Sequence, residues 1–322
     1  MIFQSNKNAN TFVQGTSHRG NNLPCQDRTY FIEENGLYVM TLADGAGSKE
    51  FSHLGAEIVT QMTARILADS FNEYIQKLEE YGRSSLEIEQ NKRFVRESIL
   101  DRLTKQLEDY ALSNGIPSVK ELASTLLFCA VDYRNRFIIG HIGDGLIGAT
   151  FLTQEDAYSM VLSEPENGAE SNITFFVTDD KALEHFRIQS GVFSNLEAIY
   201  LMSDGVADVF YSAYEGLSDT IRQFATSYQG KDPSSFEQSL NQVLETQVAK
   251  ESDDDLSINL FYVERLEDKD MPSEYYQSLL KSIDSKEKIF RLSPYAVALH
   301  QSLRTKKTDF NSADQVKEYI YE

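Results

Sequence analysis

An α+β fold that gathers acids at one sheet edge is predicted by two observations on this 322-residue chain. Strand-like apolar runs give way, after Asp44, to apolar residues at four-residue spacing. Three apolar strands also end in Asp-Gly: 37–43 runs into Asp44-Gly45, 137–143 into Asp144-Gly145, and 198–203 into Asp204-Gly205. A fourth acidic cluster, Asp253-Asp254-Asp255, stands just before the apolar strand 258–263. If that last strand runs antiparallel to its neighbours, four carboxylates meet at one edge. One Asp-Gly alone is the commonest short hairpin signal. Two carboxylates 4 Å apart, however, repel by roughly 4 kcal/mol at an effective dielectric near 20, so such a cluster holds either protons or cations.

Taken in order, 11–15 is a short strand candidate and 16–27 a polar loop. Strand 28–33 pairs with 37–43 through Asn35-Gly36, a strong hairpin signal. The second of these strands is apolar almost throughout, as in a strand covered on both faces. Leu54, Ile58, Met62 and Ile66 recur every four residues and predict a helix from about 52 into the Leu78 region. A second long helix carries Val95, Ile99, Leu103, Leu107 and Ala111 and stops at Asn114-Gly115. Strands follow at 124–133, 136–143, 146–153 and 157–162, then a polar loop at 164–171. Weaker strand patterns lie at 173–177 and 184–188. Beyond strand 198–203 come amphipathic helices at 220–228 and 234–250, then the closing strand 257–263.

Leu266 marks the one candidate boundary. Acids and bases nearly balance after it, so residues 1–265 carry almost all of the formal charge of −20. Residues 266–322 contain helical stretches at 274–283, 295–303 and 314–321, which fit either a packed extension or an arm contacting a protein partner. The strong negative charge argues against nucleic-acid binding. No apolar run reaches the roughly 20 residues needed to span a bilayer, and the first ten residues lack a signal-like apolar region, so a cytoplasmic protein without membrane attachment is expected. Cys25 and Cys129 lack zinc-site spacing and fit a reducing compartment.

Phosphate-loop, dinucleotide, nucleophile-elbow and His-Glu-x-x-His patterns are absent from the sequence. His53 opens a helix, and His185 and His300 lack acidic or cysteine partners at ligand spacing. What remains is an oxygen-rich site suited to Mg or Mn, of the kind that most often handles phosphate esters.

Six segments, in order, carry a resemblance. They are Gly15 through Gln26-Asp27, Ala43-Asp44-Gly45-Ala46-Gly47, Ala123-Ser124-Thr125, Ile142-Gly143-Asp144-Gly145, Met202 through Asp208, and Asp254-Asp255-Leu256-Ser257. Over about 11–263 the chain resembles the metal-dependent protein phosphatase 2C family, and its compact bacterial members most of all. The resemblance implies a four-layer α/β/β/α sandwich, two antiparallel sheets flanked by helices, with a binuclear metal site at one edge. It implies a catalytic domain over 1–265 with a helical extension over 266–322. The activity implied is hydrolysis of phosphoserine and phosphothreonine in proteins, substrates of a serine/threonine kinase, by a metal-activated water without a phosphoenzyme.

By position, the resemblance has Asp44 bridging two Mn2+ or Mg2+ ions. Asp204 and Asp254 complete one ion, and Gly45 offers its carbonyl to the other. Asp144 with Asp204 holds a weaker third, and Asp27 orients water. Residues 163–191 correspond to a flap that affects substrate choice. Two departures stand out. Gln26 replaces a family glutamate, which predicts a higher metal demand. The family's phosphate-binding arginine falls at Asn22, leaving His18 and Arg19 as the nearest candidates. These departures keep two alternatives open: a metal-binding regulatory module with little turnover, and a hydrolase for small phosphate esters.

Overall fold

The computed structural model describes residues 3–79, 83–132, 134–153, 157–166, 174–211 and 233–266. The expected helix at 220–228 and those of the tail lie outside them. The described strands are β1 Phe3–Val13, β2 Arg28–Glu34, β3 Leu37–Ala43, β4 Leu126–Asp132, β5 Arg136–Ile142, β6 Leu146–Leu152, β7 Ala157–Ser163, β8 Arg187–Val192, β9 Leu196–Met202 and β10 Leu256–Leu266. The helices are α1 Thr16–Gly20, α2 Ser52–Leu78, α3 Ser85–Asn114, α4 Ala182–His185, α5 Asp204–Tyr211 and α6 Pro233–Thr246. Two five-stranded sheets result, ordered β1-β10-β9-β6-β7 and β2-β3-β4-β5-β8. Every paired strand in both is antiparallel.

Side-chain alternation along β3 shows why the sandwich has four layers. Tyr38, Met40 and Leu42 point between the sheets and pack with Ile199, Leu201 and Phe261. Leu37, Val39 and Ala43 point outward into a cluster with Val59 and Ile66 of α2 and Leu103 and Leu107 of α3. Both faces are covered, so the strand carries no polar alternation, as expected from its sequence. β9 repeats the arrangement on the other sheet, where Tyr200 and Met202 meet Phe236, Leu240 and Leu244 of α6. Each such fully buried side chain contributes roughly 1.5–3 kcal/mol, which makes slippage of either central strand by one residue prohibitive.

The turns follow the sequence signals. Asn35 (φ 53°) and Gly36 (φ 75°) both take left-handed backbone, as a two-residue hairpin turn requires, and Glu34 pairs with Leu37. α3 opens on a capping box between Ser84 and Glu87 and closes on Gly115 at φ 67°.

Four expectations need correction. The strand expected at 11–15 is the eleven-residue β1, paired along its whole length with β10. Its first half lacks an apolar pattern because it is held by main-chain bonds and an asparagine contact, Asn8 Nδ2 donating to Asn259 Oδ1 at 2.8 Å. The polar loop 16–27 contains the one-turn α1, which has no buried residues and hence no periodic signal. Residues 174–177 form no named strand; the Val177 N–H donates to the Ser124 carbonyl at 2.9 Å instead of joining a ladder. The strand expected at 184–188 begins only at Arg187, after the short α4.

Candidate metal centre

Each strand end delivers its acid to one place. β3 hands over Asp44, whose backbone is held twice by Thr125: Asp44 N donates to Thr125 Oγ1 at 2.9 Å, and Thr125 N donates to the Asp44 carbonyl at 2.8 Å. Gly45 N donates to the Gln26 carbonyl at 3.2 Å, which brings the first loop against the third strand's end. β5 leads into Asp144, and β9 into Asp204 at the start of α5. Carboxylate oxygens of Asp44, Asp144 and Asp204 lie within 4.8 Å of one another. Asp254, just before β10, lines the same cavity of about 450 Å³ together with Gln26, Gly45 and His18. A larger cavity of about 950 Å³ adjoins it through His18, Gly47, Asp204 and Asp254, and Asp208, Glu251 and Asp253 add to its acidic lining.

The cluster is electrostatically loaded. Burial, then the charges of Asp144 and Asp254, push Asp204 up to about 8. Burial, then Asp27 and Asp204, hold Asp44 well above the usual carboxylate range. Burial pushes Asp27 up to about 6 and raises Asp144. Asp27 is 1% exposed, and neither of its carboxylate oxygens has a hydrogen-bond partner. Gln26 is also buried, with Nε2 donating to the Lys49 carbonyl at 3.2 Å and Oε1 without a partner. Stranded buried oxygens beside repelling carboxylates are costly without a cation. The donor set, all oxygen and mostly anionic, fits Mg2+ or Mn2+.

The other predicted positions divide. His18 lies on the cavity wall, its Nδ1 2.8 Å from Asp255 Oδ2. Arg19 is exposed, does not line either cavity, and donates from Nη2 to the Gln14 carbonyl at 3.1 Å. His185, expected to lack an acidic partner, sits 2.9 Å from Glu166 Oε1, and Arg187 completes an ion pair to the same carboxylate at 3.3 Å. This group anchors the near end of 163–191, where Glu166 N donates to the Gly143 carbonyl at 3.0 Å, one residue from Asp144. Thr174 and Phe176, from the middle of that span, reach the cavity.

Sequence reasoning missed Asp255. Its carboxylate accepts from Gly15 N at 2.7 Å, from Gln26 N at 2.5 Å and from His18, so one buried acid ties down both ends of the loop that carries α1. The doublet Asp254-Asp255 offered a signal, since only one of two successive acids ahead of a strand can face the cavity while the other turns inward.

No curated protein matches the sequence. Among solved structures, a serine-threonine phosphatase 2C from Toxoplasma gondii aligns at TM-score 0.56 and 12% identity, over 82% of this chain and 99% of that one. A bacterial serine phosphatase aligns at 0.52 and 14%, over 82% of this chain and all of that one. The serine/threonine phosphatase of S. agalactiae aligns at 0.50 and 17%, over 81% of this chain and all of that one. These likenesses support the fold. The family model for protein phosphatase 2C matches residues 14–245, a span that includes Asp27, Asp44, Asp144 and Asp204. The chain therefore belongs to the protein phosphatase 2C family.

Proposed function

We propose that this protein removes phosphate from phosphoserine and phosphothreonine of protein substrates, with two Mn2+ or Mg2+ ions and a weaker third bound at the sheet edge. The observation that carries this reading is the convergence of Asp44, Asp144 and Asp204 beside the unpartnered oxygens of Asp27 and Gln26. Asp44, Asp204, Asp254 and the Gly45 carbonyl would hold the two principal ions, and Asp144 with Asp204 would hold the third. When bound, the ions supply charge neutralisation of the phosphoryl group and lower the pKa of attacking water. Asp27, buried behind the cluster, would accept a hydrogen bond from that water and orient it. Thr125 keeps Asp44 in register with it. Of His18 and Arg19, His18 is the one positioned to meet substrate phosphate. The free thiols of Cys25 and Cys129 accord with a cytoplasmic setting.

A second reading, a metal-binding regulatory module with little turnover, draws on one observation: no arginine lines either cavity among the described residues. One experiment separates the two. Phosphate release from a phosphothreonine peptide is measured with manganese for wild type, Asp44→Asn and Asp204→Asn, beside a nucleotide panel. Turnover in wild type that falls by at least ~100-fold in both variants supports the phosphatase. No turnover with manganese binding intact supports the module, and preference for a nucleotide supports a small-ester hydrolase.

A further inference from the structure

The cavity is lined by carboxylates and by one imidazole. Asp44, Asp144, Asp204 and Asp254 line it, and Asp208, Glu251 and Asp253 line the adjoining groove. Among the described residues only His18 brings a nitrogen base to both. Expelling a serine or threonine oxygen as an alkoxide is unfavourable, so the reaction gains from a positioned acid.

The ring of His18 is placed by construction. Asp255 Oδ2 takes the Nδ1 side at 2.8 Å, which turns Nε2 away from that carboxylate. Asp255 is itself 2% exposed and immobilised by the Gly15 and Gln26 amides. The helix bearing His18 is fastened to the same segment. Ser17 N donates to the Asp253 carbonyl at 3.0 Å, and Thr16 Oγ1 donates to Asp253 Oδ1 at 2.7 Å. The imidazole thus has an anionic partner behind it and the cavity in front, an arrangement that fixes the orientation of a transferable proton.

We propose that His18 is the general acid for the leaving group, with Asp255 as its positioning residue; the proposal rests on the phosphatase reading above. As the water oxygen bonds to phosphorus, the phosphorus–oxygen bond to serine or threonine breaks. The Nε2 proton of the His18 imidazolium passes to the departing oxygen, giving the free alcohol. The proton lost by the water goes to solvent, inorganic phosphate departs, and solvent returns a proton to His18.

The test compares two esters with manganese: a phosphoserine peptide, whose leaving oxygen needs a proton, and 2,4-dinitrophenyl phosphate, whose leaving group departs as a stable anion. His18→Ala is expected to lose on the order of 100-fold in kcat on the peptide, with a loss at least about ten times smaller on the activated ester. Added imidazole is expected to restore part of the peptide turnover. Equal losses on both esters overturn the proposal, as does no loss on the peptide. Should His18→Ala fail to fold, His18→Asn, which keeps a donor for Asp255, is measured with the same pair and judged the same way. Wild type that turns over neither ester overturns the phosphatase reading itself, and the general acid with it.

Discussion

Thr125 and Asp44 grip each other through two hydrogen bonds, side chain to backbone at 2.9 Å and backbone to backbone at 2.8 Å. The acid most central to the cluster is thereby positioned by the strand beside it. Thr125→Val keeps the shape and removes the hydroxyl acceptor, leaving the Asp44 amide without its partner. A stability loss of about 1–3 kcal/mol is expected by denaturant unfolding. Manganese affinity is expected to weaken by roughly 10–100-fold in calorimetry, the range for a residue that orients a ligand. Unchanged affinity would show that the clamp is structural only.

Metal-free protein is expected to lose stability as pH rises. Asp204 is held near 8 against an ordinary 3.8, Asp27 near 6, and Asp44 is raised. A folded-state pKa above the unfolded value means that the folded form keeps its protons longer. The associated stability is complete below the unfolded value near 4 and disappears as pH climbs through about 6 and then about 8. Thermal unfolding with chelator at several pH values checks this. Saturating manganese should flatten or reverse the trend, since it binds the deprotonated cluster. A chelated protein that grows more stable between pH 5 and 8 contradicts the assignment.

Gln26→Glu exchanges a neutral oxygen for a charged one in the cavity wall. The variant is expected to need less manganese, by about tenfold in Kd. It should also be less stable without metal by roughly 1–2 kcal/mol, because a carboxylate cannot donate to the Lys49 carbonyl as the Gln26 amide does. Identical metal dependence of wild type and variant in calorimetry rules this out.

Gly15 is a site of close approach. A Cβ there would lie 2.3 Å from the Asp254 backbone carbon, whereas one at Gly20 would meet nothing within 4 Å. Gly15→Ala should cost about 1–3 kcal/mol and weaken metal binding by displacing Asp254, with Gly20→Ala as the neutral comparison. Equal melting temperatures for the two variants would refute the argument.

The acidic groove beside the site bears on substrate choice. Asp208, Glu251 and Asp253 extend the field of Asp204 and Asp254 outward. Phosphopeptides with lysine or arginine flanks should show higher kcat/KM than acidic ones, on the order of tenfold at low salt, with the gap closing as salt is raised. Equal rate constants at low ionic strength would remove the effect.

The segments readable in the sequence share one cause. β3, β4 and β9 are buried on both faces, α2 lays one stripe on a sheet and α3 lays one on α2, so burial wrote itself into residue type. The clustered acids Asp44, Asp144 and Asp204 were legible because Asp-Gly recurs after such strands. The parts that escaped are held by polar contacts that leave no periodic trace. β1 is recruited by a partner more than 240 residues away. α1 buries no side chain, and 174–177 is pinned by loop carbonyls and by Asp179, whose Oδ2 accepts from Phe176 N. The role of Asp255 was hidden for a similar reason, since its three donors come from a loop with which it shares no local pattern.

The β1–β10 pairing, from Phe3 with Leu266 to Val13 with Leu256, also sets when the protein can work. During synthesis the first strand is made long before its partner. At typical elongation rates the roughly 240 intervening residues take on the order of 10–50 s. Until Asp255 emerges, the loop carrying His18 and Gln26 has no carboxylate to close on, and the cluster lacks Asp254. The acids gathered from β3, β5 and β9 therefore gain Asp254 only once the β10 end of the chain has emerged.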